Sequence, residues 1–205
     1  MMEKEKFIQK ILEKEFSNPK SPLKFTNAFT FLVAIVLSAQ ARDDRVNDVT
    51  KFLFKIAKTP EKMLELSQKK LENIIKSVGL APTKSKNILK FSKILIEKFD
   101  SKVPNTFEEL ESLPGVGHKT ASVIISHYFN KPAFAVDTHV FRCAKRWGLT
   151  SKNSTIKKTE QDLKDKFPKN KWSKLHWQII YFGRKFCPAK GHIIKNCPIC
   201  SKLKK

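Results

Sequence analysis

The sequence predicts an all-α protein, because its apolar residues recur at intervals of three and four along most of the chain. This spacing places them on one side of a helix, whereas strict alternation would indicate strands. Two helix-opening signals agree: Thr59 stands as a cap before Pro60, and Asn105 stands as a cap three places before the acidic Glu108. We therefore expect helices packed on helices around a common core.

The helical pattern begins near the amino terminus and returns along the chain. Its apolar positions are Phe7, Ile8, Ile11 and Leu12; Phe29, Leu32, Val33 and Val36; Val46, Val49, Phe52, Leu53 and Ile56; and Ile88, Phe91, Ile94 and Leu95. Further helices are expected at residues 120–129 and 138–147. The apolar run at residues 31–37 falls well short of the roughly 20 residues that cross a bilayer, so it indicates a buried helix.

The charge balance indicates a polyanionic partner. Forty-one Lys and Arg residues against nineteen Asp and Glu give a formal net charge of +22. Such an excess favours binding to a nucleic acid, although a merely lysine-rich surface is the alternative. The amino-terminal segment lacks an apolar signal region, so we expect a soluble, cytoplasmic protein associated with the nucleoid and not with a membrane. No spare apolar face is evident, which favours a monomer.

The most informative motif is Leu113-Pro114-Gly115-Val116-Gly117-His118-Lys119. Glycines on either side of one apolar residue allow positive φ and bring backbone N–H groups close to a bound anion. Lys119 then stands where a helix starts. Because a helix N-terminus disfavours an ammonium, we expect a lowered pKa and a larger share of nucleophilic free amine.

A carboxylate follows eighteen positions later, in Val136-Asp137-Thr138-His139. It precedes the helix expected at residues 138–147. Asp137 is therefore either an N-cap of its own helix or a group that takes part in chemistry with Lys119. The motif alone leaves both roles open.

Together these segments resemble the endonuclease III branch of the helix-hairpin-helix DNA glycosylases. The resemblance extends over roughly residues 20 to 200, and its segments occur in the family's order and approximate spacing. They are Ser38-Ala39-Gln40 with Asp43 and Asn47; Gly79-Leu80 with Lys84-Ser85-Lys86-Asn87-Ile88; residues 113–120; Val136-Asp137-Thr138-His139; and Gly183-Arg184 before Cys187. Three positions depart from the family pattern: Arg42 stands where a small hydroxyl residue is usual, His118 where an arginine is usual, and Ser122 where an asparagine is common.

The resemblance implies two helical lobes that flank a DNA-binding cleft. A six-helix barrel with the helix-hairpin-helix would occupy residues 21–131, and residues 1–20 with 132–205 would form the second lobe. Lys119 and Asp137 would be catalytic, and Gln40 would fill the gap left by an extruded nucleotide. The DNA-binding set implied by the motifs is Gln40, Leu113, Gly115, Val116, Gly117, His118, Thr120 and Arg184.

The activity implied is that of a bifunctional DNA glycosylase and AP lyase in base excision repair. Its substrate would be duplex DNA with oxidised pyrimidines or abasic sites, cleaved by β-elimination through a lysine Schiff base. A monofunctional glycosylase is one alternative, against which Lys119 argues. A non-catalytic module that uses the hairpin only to hold the DNA backbone is the other.

The carboxy-terminal cysteines depart from the family's C-x6-C-x2-C-x5-C pattern, which commonly holds a [4Fe–4S] cluster. Nine residues separate Cys187 from Cys197, two separate Cys197 from Cys200, and no fourth cysteine follows. His192 lies between them. Three thiols and one imidazole suit Zn²⁺ or a cluster with one histidine ligand, and a loop without metal is the remaining alternative. Cys143, on an apolar helical face, is expected in the core.

Overall fold

The computed structural model describes residues 3–203, and within this range the chain consists of helices and turns without β-strand. The all-α prediction is confirmed. The α-helices are α1 Glu3–Glu15, α2 Ala28–Ser38, α3 Asp43–Ile56, α4 Pro60–Leu64, α5 Gln68–Ile75, α6 Ala81–Phe99, α7 Phe107–Glu111, α8 His118–His127, α9 Thr138–Arg146, α10 Ile156–Lys166, α11 Trp172–Lys185 and α12 Cys200–Leu203. Three 3₁₀ turns lie at Lys76–Val78, Lys169–Lys171 and Ile194–Asn196.

The chain divides into two compact units. One, the central unit, comprises Ser21–Phe129, and the other, the terminal unit, comprises Met1–Lys20 together with Asn130–Lys205. That the two act as the lobes of a DNA cleft stays a prediction.

The core of the central unit is built around α2, which packs against α3, α6 and α8. Every residue from Phe29 to Leu37 is buried, as a helix that is apolar on all sides requires. A reciprocal cap starts this helix: Thr30 N donates to Asn27 Oδ1 at 2.8 Å, and Asn27 N donates to Thr30 Oγ1 at 2.9 Å. The helix ends at Ser38, two positions before Gln40.

The two short helices of the central unit start at side-chain caps. Thr59 caps α4 as predicted, with Pro60 at the first helical position. For α7 the capping residue is Thr106, one position after the Asn105 that the sequence favoured. Glu109 N donates to Thr106 Oγ1 at 3.3 Å, and Thr106 Oγ1 donates to Glu109 Oε2 at 2.6 Å. The Thr106 hydroxyl thus bonds to both the main chain and the side chain of Glu109, which fixes the first turn of α7.

The terminal unit joins the first helix to the last third of the chain. α1 packs on α11, where Gln178 Nε2 donates to Glu13 Oε2 and to the carbonyl of Phe16, both at 2.9 Å. α9 packs on α10 and α11 and buries Val140, Cys143 and Ala144. The expected core position of Cys143 is confirmed, since it is 0% exposed.

Within residues 3–203, no helix combines the length and the apolar character needed to span a bilayer.

Candidate functional site

The glycine turn of the central unit uses its two glycines differently. Gly115 has φ +81°, and a Cβ at this position would lie 2.7 Å from Asn87 Nδ2. Gly117 has φ −97° and ψ 176°, and a Cβ there would meet nothing within 4 Å. Positive φ is therefore required only at Gly115, while Gly117 leaves open space in front of α8.

The two apolar side chains of the turn are buried in the core of the central unit. The side chains of Leu113 and Val116 are 2% and 5% exposed, and Val116 N donates to the carbonyl of Leu113 at 3.0 Å. Both were predicted to bind DNA. Because their side chains face the core, any contact of theirs with a phosphate would come from the main chain.

The surface of the turn is formed by Gly115, Gly117, His118 and Lys119, which are exposed, and by Thr120, which is half-buried. Gly117 is the N-cap of α8 and makes no side-chain cap. A glycine-capped helix start presents main-chain N–H groups and the positive end of the helix dipole, which suits an anion such as phosphate.

His118 is held against the preceding helix. Its Nδ1 lies 2.7 Å from Glu111 Oε1, and its ring stacks on Phe107 with centroids 5.0 Å apart. These contacts tie α8 to α7 at the residue where the family resemblance led us to expect an arginine.

Lys119 is the second residue of α8, which starts two positions before the predicted residue 120. Its side chain is exposed and does not belong to the packed core. An amine in this place is accessible to a substrate and lies on the first turn of a helix that follows a glycine turn.

Asp137, in the terminal unit, is the N-cap of α9. Its Oδ1 accepts a hydrogen bond from Val140 N at 2.8 Å, and the residue is half-buried. The capping role considered for Asp137 is thus present. A cap occupies one carboxylate oxygen, so it does not prevent the second from acting on a substrate.

Gln40 is exposed and adopts the left-handed conformation, with φ +55°. A non-glycine residue in this region costs about 1–2 kcal/mol, so the turn after α2 is held by its surroundings.

Leu80 is likewise exposed and left-handed, although the sequence indicated no role for it. It has φ +52° and is 52% exposed, at the N-cap of α6. The signal available in the sequence was a large apolar residue between Gly79 and the helix-opening Ala81-Pro82, outside any apolar stripe. Exposed strained residues of this kind cluster at functional sites.

Arg184 is exposed on the last turn of α11. The preceding Gly183 is buried, and a Cβ there would lie 3.2 Å from both Arg142 Nη2 and Cys143 Sγ. The glycine therefore permits close packing of α11 on α9, which places Arg184 on the surface directly before the cysteine loop.

The structure brings Cys187, His192, Cys197 and Cys200 together, with one ligand atom from each lying within 4.8 Å of the others. The sulfurs of Cys187 and Cys200 are 4.0 Å apart. His192 Nε2 is buried and has no hydrogen-bond partner. An orphaned imidazole nitrogen beside three thiols fits a metal-binding group, because a bound ion would satisfy it.

Two arginines of α9 hold this Cys/His group, and their role was not apparent from the sequence. Arg142 Nε donates to the carbonyl of Cys187 at 3.0 Å. Arg146 Nη1 donates to the carbonyl of Pro188 at 2.7 Å and to Cys187 Sγ at 3.3 Å. The contacts span more than 40 positions of sequence, so only the fold reveals them.

The charge state of the thiols follows from this packing. Hydrogen bonds from neighbouring thiols, that of Cys143 first, and from Arg146 lower the pKa of Cys187, against an opposing effect of burial. The hydrogen bond with Cys187 and burial raise the pKa of Cys143 well above its usual range. The hydrogen bonds with Cys187 conversely raise the pKa of Cys197 and of Cys200, so negative charge within the group is favoured on Cys187.

The fold and the glycine turn define a class of protein. The sequence model described as HhH-GPD superfamily base excision DNA repair protein matches residues 33–169, and the chain belongs to this superfamily. Within it, the chain belongs to the endonuclease III family, as its relatives show.

It is 44% identical to endonuclease III of Bacillus subtilis (strain 168) over 186 residues, which are 91% of this chain and 85% of the relative. With endonuclease III of Rickettsia felis it shares 46% identity over 192 residues, 94% and 90% of the two chains. A solved non-covalent endonuclease III–DNA complex matches with a TM-score of 0.93 at 39% identity, covering 98% of this chain and 95% of that chain.

A second structure, a trapped endonuclease III–DNA covalent intermediate described as an estranged-adenine complex, matches with a TM-score of 0.91 at 39% identity. The match covers 97% of this chain and 94% of that chain.

Proposed function

We propose that this protein is a bifunctional DNA glycosylase and AP lyase in base excision repair, with Lys119 as nucleophile. The observation that carries the proposal is an exposed lysine on the first turn of α8, directly after a glycine turn suited to phosphate. The relative trapped in a covalent complex with DNA supports it. The formal charge of +22 supplies the attraction to the duplex.

The reaction needs a damaged nucleotide rotated out of the stack, since its C1′ is otherwise shielded. The free amine of Lys119 attacks C1′, the bond from C1′ to the base breaks, and the base leaves with that electron pair and gains a proton. The nitrogen gives up one proton, and the C1′–O4′ bond then breaks with its electron pair and a proton going to O4′, which leaves a protonated Schiff base between Nζ and C1′. Loss of a 2′ proton expels the 3′ phosphate by β-elimination, and water restores the amine.

Asp137 supports these steps in one of two ways. Its carboxylate either stabilises positive charge that develops on the sugar or accepts a proton from the incoming amine. The N-cap bond to Val140 fixes the carboxylate at the start of α9 in both cases.

Main-chain groups of the glycine turn, with His118 and Thr120 beside them and Arg184 on α11, would contact the DNA backbone. Gln40 would enter the gap left by the extruded nucleotide, for which its exposed left-handed turn is suited. The substrates would be oxidised pyrimidines and abasic sites in duplex DNA. We expect the protein to act as a monomer inside the cell, on the chromosome.

Strand-cleavage assays test this proposal. The wild-type protein should release an oxidised pyrimidine from a duplex and nick the strand at the resulting abasic site, and Lys119→Gln should do neither. Lys93→Gln, which removes an exposed lysine paired with Glu97 in the same unit, is the matched control and should keep both activities. Base release without nicking by the wild type would indicate a monofunctional glycosylase. Binding without either activity would indicate a DNA-binding module.

For the Cys/His group we propose one Zn²⁺ ion, held by Cys187, His192, Cys197 and Cys200. A tetrahedral ion with Zn–S bonds of about 2.3 Å sets its sulfurs roughly 3.8 Å apart. The 4.0 Å between Cys187 and Cys200 fits that spacing. In a [4Fe–4S] cluster each ligand binds a different iron, which requires wider separation.

Such an ion would stabilise the loop after α11 and take no part in the reaction. Metal analysis and a visible absorbance spectrum of the purified protein test the assignment. One zinc per chain and no visible absorbance are expected, and a brown protein with several irons per chain would overturn it.

A further inference from the structure

A buried lysine links the two strained turns of the central unit. Lys84 is the fourth residue of α6, and it is only 4% exposed. Its Nζ donates to the carbonyl of Leu37 at 2.8 Å and to the carbonyl of Val78 at 3.0 Å. Neither acceptor is a carboxylate, and Lys84 forms no ion pair within the described part of the chain.

The two acceptors stand at the ends of helical segments. Leu37 lies in the last turn of α2, where main-chain carbonyls have no partner within the helix. Val78 is the last residue of the 3₁₀ turn Lys76–Val78. A positive charge at the carboxyl end of a helix interacts favourably with its dipole, which explains how a lysine is accommodated in this interior.

Each acceptor also precedes a residue with positive φ and an exposed side chain. Gln40 follows Leu37 by three positions, and Leu80 follows Val78 by two. The main-chain bond from Lys84 N to the carbonyl of Leu80, at 2.9 Å, adds a further tie to the second turn. One side chain thus bonds to the main chain shortly before each of the two turns.

We propose that Lys84 is a positioning residue that holds the Gln40 turn and the Leu80 turn in one fixed arrangement for binding to duplex DNA. The inference rests on the proposed function, because it concerns how the protein binds a duplex from which one nucleotide has been rotated out. Burial lowers the pKa of the Lys84 amine, as expected for a charge removed from water. Its long side chain reaches two carbonyls that no neutral residue of the same length would satisfy.

A purely structural role and a positioning role make different predictions. Loss of general stability would slow reaction with any abasic substrate. Misplacement of the two turns would slow only reaction with duplex DNA, because a single strand has no stacked gap to fill. The ratio of the duplex rate to the single-strand rate therefore separates them, and it is independent of the fraction of correctly folded protein.

The experiment measures borohydride-trapped adduct formation on one abasic oligonucleotide, alone and in a duplex, for the wild type, Lys84→Met and Gln40→Ala. We expect both variants to lower the ratio of duplex to single-strand rate by about tenfold, the scale of small misplacements at an active site. Lys90→Met removes an exposed charge from the same helix and should leave the ratio unchanged.

An unchanged ratio in Lys84→Met, or an equal fall of both rates, would overturn the positioning role. A wild-type ratio near one would overturn it as well. If Lys84→Met is insoluble, Lys84→Gln, whose side chain is uncharged and one bond shorter than that of lysine, is measured in the same way. Absence of any adduct with the wild type would instead refute the proposed function itself.

Discussion

The carboxylate of Asp137 accepts a hydrogen bond from Val140 N at 2.8 Å and so closes the first turn of α9. One side chain thus combines a structural role with the proposed catalytic one, and substitution can separate them.

Asp137→Asn should keep the fold and lose the activity. Asparagine caps helices as well as aspartate does, so we expect a change in unfolding free energy below about 0.5 kcal/mol. Loss of the charge should slow single-turnover strand cleavage about a hundredfold. Thr155→Ala, which removes the cap of α10, is the converse control and should cost about 1 kcal/mol without slowing cleavage. If Asp137→Asn were as active as the wild type, Asp137 would serve only as the N-cap of α9.

The two glycines of the turn should respond differently to alanine. Gly115→Ala introduces a Cβ at φ +81° and 2.7 Å from Asn87 Nδ2, so we expect a loss of about 1–3 kcal/mol in urea unfolding. Gly117→Ala has room for its Cβ and should unfold nearly as the wild type does. It should still weaken binding to an abasic-site duplex, because the methyl group stands where a phosphate approaches. Equal affinity of Gly117→Ala and wild type would argue against a phosphate contact there.

Gln40→Gly should leave the protein at least as stable as the wild type but should slow its reaction with duplex DNA. Glycine adopts φ +55° without steric cost, so the unfolding free energy is expected to stay level or rise, by up to about 1 kcal/mol. The side chain proposed to fill the gap is lost, so the reaction with duplex DNA should slow. Thermal unfolding and single-turnover kinetics on the same sample check both outcomes. A variant that is less stable than the wild type would contradict the assignment of strain.

Removal of the metal should destabilise the carboxy-terminal loop. Under reducing conditions a strong chelator is expected to release one zinc per chain and to lower the midpoint of thermal unfolding, because the ion would join four residues of the loop that Arg142 and Arg146 hold only near Cys187. His192→Ala should lower the zinc content, whereas Cys143→Ala should retain it. If His192→Ala kept its zinc and Cys143→Ala lost it, the fourth ligand would be Cys143, which lies beside Cys187.

Much of the fold followed from helical periodicity. The apolar stripes of α1, α2, α3 and α6 were visible in the sequence, because each is longer than three turns and buries one face or all of it. Shorter helices depended on single capping residues. The start of α7 was misplaced by one position, since Asn105 and Thr106 are both good caps and only the backbone decides between them.

The site was predicted in part, for reasons that differ from residue to residue. The glycine turn, Lys119, Asp137 and the cysteine spacing are local motifs. Lys84 is part of a family segment, but its burial and its role could not be predicted, because a lysine in a basic chain is expected on the surface and its acceptor Leu37 lies 47 positions away. The strained backbone of Leu80 was equally invisible, because the sign of φ at a non-glycine residue is set by its surroundings.

The central claim is that the amine of Lys119 bonds covalently to the sugar of the damaged nucleotide. The most direct measurement is reduction with borohydride during reaction with an abasic duplex, followed by peptide mapping of the cross-link. We expect an adduct at Lys119 that is absent from Lys119→Gln. An adduct at another residue, or one that persists in Lys119→Gln, would contradict it.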